Sequence, residues 1–131
     1  MCAMHFGMKW GGSKMTRKRN DCHSTEFGLW LRERRELDQR LGFLTTNLDY
    51  IWGNYNTQKW MLIEEKRYGS PLRQAQLDMI ELVDNCCKTD PRYQGFHLLQ
   101  FEHTTPEDGA ILWDGKEITK QKLIRLLEFK E

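Results

Sequence analysis

The chain lacks the features that would place it in a membrane or in an oxidising compartment. None of its 131 residues belongs to an apolar run of about 18, the length that a membrane-spanning helix needs. No charged stretch leads into a short apolar stretch, which is the pattern of a secretory signal. Four cysteines are present without an evenly spaced disulfide framework, since Cys86 and Cys87 are adjacent. We therefore expect a cytoplasmic protein with reduced thiols and no membrane partner.

Acidic residues are missing from the first twenty positions, although the whole chain carries a formal net charge of only +1. The residues after this stretch are therefore net acidic. A basic arm on an acidic body can bind nucleic acid, because it neutralises phosphates and releases their counterions. The alternative interpretation is a solubilising tail. We interpret residues 1–23 as a flexible basic arm, and its candidate DNA contacts are Lys14, Arg17, Lys18 and Arg19.

No internal repeat is present, and the length suits one compact domain, which we place at residues 24–131. Ser24 or Thr25 can cap a first helix that runs to about residue 41. The next elements are two apolar segments, residues 48–52 and 59–65, separated by turn residues at 53–56, and this pattern predicts a β-hairpin. A weaker strand signal lies at residues 43–45. The apolar stripe of the first helix consists of Phe27, Trp30 and Leu31.

The second half of the chain reads as a helix, several strands and a last helix. Ser70 and Pro71 are typical of a helix start, and this helix should run to about Cys87. Residues 96–101 predict a strand, and residues 111–113 and 116–118 flank Asp114-Gly115, a hairpin turn. Thr119 can cap the last helix. The order of elements predicts an α/β (α+β) protein with a central mixed β-sheet flanked by helices. The predicted buried stripes are Leu72, Ala75, Met79, Val83 and Cys86 on the second helix, and Leu123, Ile124, Leu127 and Phe129 on the last.

Glu64 and Lys66 end the apolar segment 60–63, and they are the most informative pair of charged residues. Because strand side chains alternate, Glu64 and Lys66 share one face and Glu65 points to the other. Asp49 lies on the first strand of the predicted hairpin and can reach Glu64 across the pair. Two carboxylates on an apolar sheet repel each other and are poorly solvated, and a divalent cation relieves both problems. Carboxylate oxygens are the ligands that Mg²⁺ prefers.

An acidic residue before a hairpin, followed by Glu64-Glu65-Lys66, resembles the PD-(D/E)XK superfamily, the restriction-endonuclease-like nucleases. The resemblance covers roughly residues 24–102. It implies a core of helix, three strands, helix and strand, with a size similar to that of Holliday junction resolvases. It also implies that Asp49 and Glu64 bind Mg²⁺ or Mn²⁺, and that Lys66 assists the attacking water. The expected activity is hydrolysis of DNA to products with a 5′-phosphate, on junctions or, as a homodimer, on duplex DNA.

The same resemblance suggests further site residues. Many members carry a Glu on the first helix, and Glu26 matches by position, with Glu33 as the next candidate. Some members use a Gln on the helix after the motif. Gln76 is close to the predicted apolar stripe, although an amide on the helix surface is slightly favoured. Arg67 and Arg73 flank the site and either hold phosphates or lie on a solvated surface.

The sequence contains two other sets of candidate site residues and allows one other function. Cys2, His5, Cys22 and His23 could hold Zn²⁺, although adjacent ligands at 22 and 23 strain such a site. His97 and His103 flank a strand without a nearby nucleophile, so a hydrolase triad has little support. The alternative function is a non-catalytic module that binds nucleic acid or supports assembly with the same fold.

Overall fold

The computed structural model describes residues 25–70 and 72–131. The described residues divide into two compact units, residues 25–47 and residues 48–131. The predicted basic arm, residues 1–23, lies outside the described residues. The prediction of one domain over residues 24–131 stays a prediction.

Within residues 25–47, the first unit contains one short helix and two 3-10 turns. Helix α1 spans Glu26–Arg32, and the Thr25 hydroxyl caps it by accepting a hydrogen bond from the Gly28 N–H (2.9 Å). The predicted continuation to residue 41 is wrong, because the chain is extended at Arg34 and then forms 3-10 turns at Arg35–Leu37 and Gln39–Leu41.

The apolar stripe predicted on the first helix and the strand predicted at residues 43–45 also differ from the structure. Phe27 stacks on Trp30 with ring centroids 5.8 Å apart, yet Phe27 is 66% exposed. Gly42 follows the second 3-10 turn with φ +99°, a conformation that suits glycine. The weak strand predicted at residues 43–45 is wrong, since these residues form no strand.

The second unit is built on a mixed β-sheet of five strands, within the part of the chain that the structure describes. Their order in the sheet is the order in the chain. The β2–β3 pair is parallel, whereas the other neighbouring pairs are antiparallel. The predicted mixed sheet with helices is therefore confirmed at the level of an α+β protein. The strands are β1 (Tyr50–Gly53), β2 (Trp60–Arg67), β3 (Tyr93–Phe101), β4 (Ile111–Trp113) and β5 (Lys116–Ile118).

Strand β2 is covered on both faces, as its apolar run predicts. Met61, Leu62 and Ile63 are each at most 4% exposed.

The last helix, α3 (Lys120–Leu127), is capped by the Thr119 hydroxyl, which accepts a hydrogen bond from the Lys122 N–H. One face of the sheet forms the main core with this helix. Its buried members are Met61, Ile63, Leu99, Phe101, Ile111, Trp113 and Leu123.

The predicted burial along α3 is correct in part. Leu127 and Phe129 pack against the main core, as expected. Ile124 is 48% exposed, so the prediction of a buried Ile124 is wrong. Leu126 packs on the core instead, because it lies three residues after the buried Leu123 and therefore on the same face of the helix.

Helix α2 spans Gln74–Cys87, so it ends where expected but begins after Arg73 rather than at Ser70. The predicted apolar stripe is wrong. Ile80 is the buried residue, at 3% exposure, whereas Met79 and Val83 are exposed. The face of α2 that lies on the sheet therefore differs from the predicted one, and it includes polar side chains with partners in the sheet. Asp84, for example, accepts a hydrogen bond from the Tyr93 hydroxyl (2.5 Å).

Candidate active site

The β1–β2 pairing brings Asp49 beside Glu64. Tyr50 pairs with Ile63, so the residue before β1 and the next residue of β2 are neighbours across the hairpin. The Asp49 N–H donates a hydrogen bond to Glu64 Oε1 (3.3 Å), and the Glu65 N–H donates to Asp49 Oδ2 (2.9 Å). Asp49 and Glu64, fifteen residues apart in the sequence, are therefore neighbours across the hairpin, and each carboxylate accepts a backbone N–H from the opposite side.

Lys66 lies on the same face as Glu64, two residues further along β2. Its Nζ is 3.6 Å from Glu64 Oε2, and its side chain is 23% exposed against 4% for the side chain of Glu64. Glu65 accepts a hydrogen bond from the Tyr50 hydroxyl instead (2.9 Å). The alternation of a strand thus separates Glu65 from the Glu64–Lys66 pair, as predicted.

Gln76 belongs to the same group of side chains. Its Nε2 donates a hydrogen bond to Glu64 Oε2 (3.1 Å), so the slightly favoured prediction of a surface amide is wrong. The cause is the rotation of α2, which turns Gln76 and Ile80 toward the sheet in place of Met79 and Val83. The structure therefore brings together Asp49, Glu64, Lys66 and Gln76.

Gln100 is a further residue of this face that is not among the sequence predictions. In the parallel β2–β3 pair, Gln100 is opposite Lys66, and Leu98 is opposite Glu64. Gln100 is half-buried. The signal that could have found it is a polar residue near the end of an otherwise apolar strand, on the face given by period-2 alternation.

The local charges disfavour the ionised form of Glu64. Burial raises the pKa of the Glu64 carboxyl above its usual value, and the negative charge of Asp49 raises it further. The ammonium of Lys66 and the hydrogen bond from the Asp49 N–H act in the opposite direction without cancelling the effect. Burial and the charge of Asp49 together therefore penalise the ionised form of Glu64 more than Lys66 and the Asp49 N–H stabilise it.

Replacing Glu64 with Gln is expected to raise the melting temperature of the metal-free protein at neutral pH. A folded-state pKa above the unfolded value means that burying the ionised carboxylate costs stability, and this cost appears as the pH rises through the folded pKa. The gain from Glu64→Gln should therefore shrink toward acidic pH. Melting curves in EDTA from pH 4 to 8 measure it, with Glu65→Gln as the control on the opposite face. The measured quantity is the melting temperature of Glu64→Gln minus that of wild type at the same pH. A smaller difference at pH 7 than at pH 4 would contradict the prediction.

Asp49 and Glu64 could offer oxygen ligands to a hard divalent cation. Hydrogen bonds and ion pairs among residues 25–70 and 72–131 use one oxygen of Asp49 and both oxygens of Glu64. A carboxylate offers about four lone-pair sites, so both groups retain acceptor capacity. No group of three or more His, Cys, Asp or Glu side chains that could hold a metal occurs in this part of the chain. Mg²⁺ does not require such a group, since it is often bound through one or two carboxylates and keeps several waters.

The other predicted site residues are not assembled in this way. Arg67 is exposed at the end of β2, and Arg73 is exposed at the N-cap of α2. Glu26 and Glu33 belong to the first unit, at the start and the C-cap of α1, and their roles stay predictions. The remaining candidates lie outside the described residues, namely Lys14, Arg17, Lys18, Arg19, Cys2, His5, Cys22 and His23.

Comparison with known proteins adds no relative. No family model matches the chain, and no curated protein or solved structure is significantly similar to it. Among residues 25–70 and 72–131, no helix has both the length and the apolar character needed to cross a membrane.

Proposed function

We propose that the chain is a metal-dependent DNA endonuclease that hydrolyses phosphodiester bonds. Asp49 and Glu64 would hold Mg²⁺ or Mn²⁺, and Lys66 would act on the attacking water and the phosphate. The observation that supports this proposal is the buried Glu64 carboxylate, which contacts the Asp49 backbone, the Lys66 ammonium and the Gln76 amide at one point of the sheet.

A purely structural ion pair explains this arrangement poorly. A buried Glu64–Lys66 pair pays a desolvation cost that its own attraction does not reliably repay. The second acid, Asp49, increases that cost, because its charge raises the pKa of Glu64. Polar groups that are costly to the fold and converge from three elements are typical of a functional site. The proposal therefore accounts for a carboxylate that is buried beside a second acid, which a surface salt bridge does not explain.

Each side chain has a defined role under this proposal. A divalent cation supplies polarisation of the phosphodiester and a lower pKa for a nearby water. Lys66 offsets negative charge that develops on the phosphate and orients the water. Gln76 holds the Glu64 carboxylate through its amide and thereby fixes the direction of the second oxygen. Both carboxylates must be ionised to bind a cation, so activity should fall as the pH drops through the pKa of Glu64.

Mg²⁺ and Mn²⁺ are expected to stabilise the wild-type protein against heat. A ligand that binds only the native state stabilises it by mass action, by about 2.7 kcal/mol at a hundred times its dissociation constant. Differential scanning fluorimetry with increasing metal should show a rising melting temperature for wild type and for Glu65→Gln. The rise should disappear in Asp49→Asn, because one ligand is lost. An equal rise in all three proteins would show that the metal binds elsewhere.

The same experiment separates the nuclease from the non-catalytic alternative. A nucleic-acid-binding module without a metal site should show no stabilisation by Mg²⁺, yet it should bind DNA with a steep salt dependence. Junction DNA, splayed duplexes and linear duplexes, each incubated with Mg²⁺, with Mn²⁺ or with EDTA, then test cleavage directly. A protein that binds these substrates but leaves all of them intact with either metal would remove the nuclease proposal.

A further inference from the structure

His97 of β3 lies between two hydrogen-bond acceptors. Its Nδ1 is 2.7 Å from Asp114 Oδ2, and its Nε2 is 2.9 Å from the backbone carbonyl oxygen of Gln94. The ring also stacks on Trp113, with ring centroids 4.7 Å apart and an interplanar angle of 24°. The imidazole is thus enclosed by the strand that carries it, by β4 and by the β4–β5 turn.

The two acceptors determine the charge of the ring. A carboxylate and a backbone carbonyl have no proton to donate, so both ring nitrogens must donate for both contacts to be hydrogen bonds. A neutral imidazole has one N–H and can satisfy only one of them, whereas the imidazolium satisfies both. The geometry therefore favours the protonated form of His97.

Asp114 connects this ring to the backbone of β3. Asp114 Oδ1 accepts a hydrogen bond from the Leu98 N–H (2.9 Å), and the Asp114 N–H donates to the Leu98 carbonyl (2.8 Å). Asp114 and Gly115 form the β4–β5 turn with φ +52° and +87°, so the carboxylate is presented from a tight two-residue turn. We propose that His97, Asp114 and the Gln94 carbonyl form a pH-sensitive clasp that holds the β4–β5 hairpin on β3 while His97 is protonated.

The charges around the ring agree with this assignment. Burial by itself lowers the pKa of His97, but the hydrogen bonds to Asp114 and to the Gln94 carbonyl, with the negative charges of Asp114 and of Asp84 on α2, raise it above its usual value. The same contact holds the pKa of Asp114 low, against the effect of burial. On β5, the charged residues are Lys116 and Glu117, and both are exposed.

The sign of the effect follows from linkage. A histidine with a raised pKa in the folded state contributes stability that is fully present below the unfolded pKa, and this contribution is lost as the pH rises through the folded pKa. Alkaline pH therefore removes one donor from the clasp and leaves Asp114 or the Gln94 carbonyl facing a ring lone pair. The hairpin of residues 111–118 should then open more often. This inference does not depend on the proposed nuclease function.

Histidine NMR titration combined with amide hydrogen exchange tests the clasp. The reference is histidine in the urea-unfolded chain. We expect the pKa of His97 in the folded wild type to exceed the pKa of this reference and to fall in Asp114→Asn. As the pH rises through the pKa of His97, the protection factors of the Leu98 and Asp114 amides, corrected for intrinsic exchange, should drop. The expected drop is about tenfold for each unit by which the pKa of His97 differs between the clasped and open states.

A second variant keeps the test decisive where Asp114→Asn does not fold. His97→Gln cannot titrate, so its free energy of unfolding should lack the decline that the wild type shows between pH 6 and 9. The proposal is overturned if His97 in the folded wild type titrates at or below the pKa of histidine in the urea-unfolded chain. It is also overturned if wild type and His97→Gln lose stability in parallel over that range.

Discussion

If the proposed function is right, DNA cleavage is expected to fall by about 10²–10³-fold when Glu64 is replaced with Gln, or Asp49 with Asn, since each change removes a carboxylate that would hold the metal. Both substitutions keep size and an acceptor oxygen. Asn at position 49 can still accept the hydrogen bond from the Glu65 N–H, and Gln at position 64 can still accept from the Asp49 N–H. The loss should therefore appear in kcat without loss of the fold.

Glu65→Gln is the matched control for this prediction. It changes the same residue type one position along the same strand, but on the opposite face, where Glu65 bonds the Tyr50 hydroxyl. Lys66→Met should also lose cleavage, because it removes the ammonium 3.6 Å from Glu64 Oε2. Cleavage rates are measured on one DNA substrate at saturating Mg²⁺, with circular dichroism to verify folding. Wild-type rates in Glu64→Gln and Asp49→Asn would end the nuclease assignment.

The largest effect on stability is expected from Leu62→Ala. Leu62 is 2% exposed in the middle of β2, and truncation of a fully buried leucine costs about 2–5 kcal/mol in lost burial and cavity formation. Ile51 is its register partner on β1 and lies on the same face, but Ile51 is 73% exposed. Ile51→Ala should therefore change the free energy of unfolding by only about 0.5 kcal/mol or less.

Urea denaturation of both variants measures this difference, because the midpoint shifts while the slope stays constant for a two-state change in stability. The pair tests the position of β1 as an edge strand as well as the burial of β2. Equal destabilisation by Leu62→Ala and Ile51→Ala would mean that a further part of the protein covers β1 in solution.

Substitution of Glu64 is expected to have opposite effects on the stability of the protein and on its cleavage activity. The same Glu64→Gln change should raise the melting temperature of the metal-free protein and lower cleavage, because burial and Asp49 penalise the carboxylate that the proposed reaction needs. Such a trade-off is common where an active site keeps charges that the fold alone would not retain. A residue with a purely structural role would lose stability on substitution.

Local patterns in the sequence determine most of the elements of the second unit. Two apolar segments with turn residues between them predict the β1–β2 hairpin. Asp114-Gly115 predicts the β4–β5 hairpin, because such turns need positive φ at two successive residues. Thr25 and Thr119 predict two helix starts through their capping hydroxyls. The face shared by Glu64 and Lys66 follows from period-2 alternation alone. These properties depend on neighbours within a few residues, so the sequence by itself determines them.

Contacts between distant residues decided what the local patterns left open. An apolar arc on α2 is wide enough for either Met79 and Val83 or Ile80 to face the sheet, and packing selected Ile80, with Gln76 beside Glu64. The protonation of His97 likewise depends on Asp114, which lies seventeen residues away along the chain. Only the tertiary structure fixes which polar groups meet in a buried place, because hydrogen bonding and desolvation there depend on partners that local sequence does not specify.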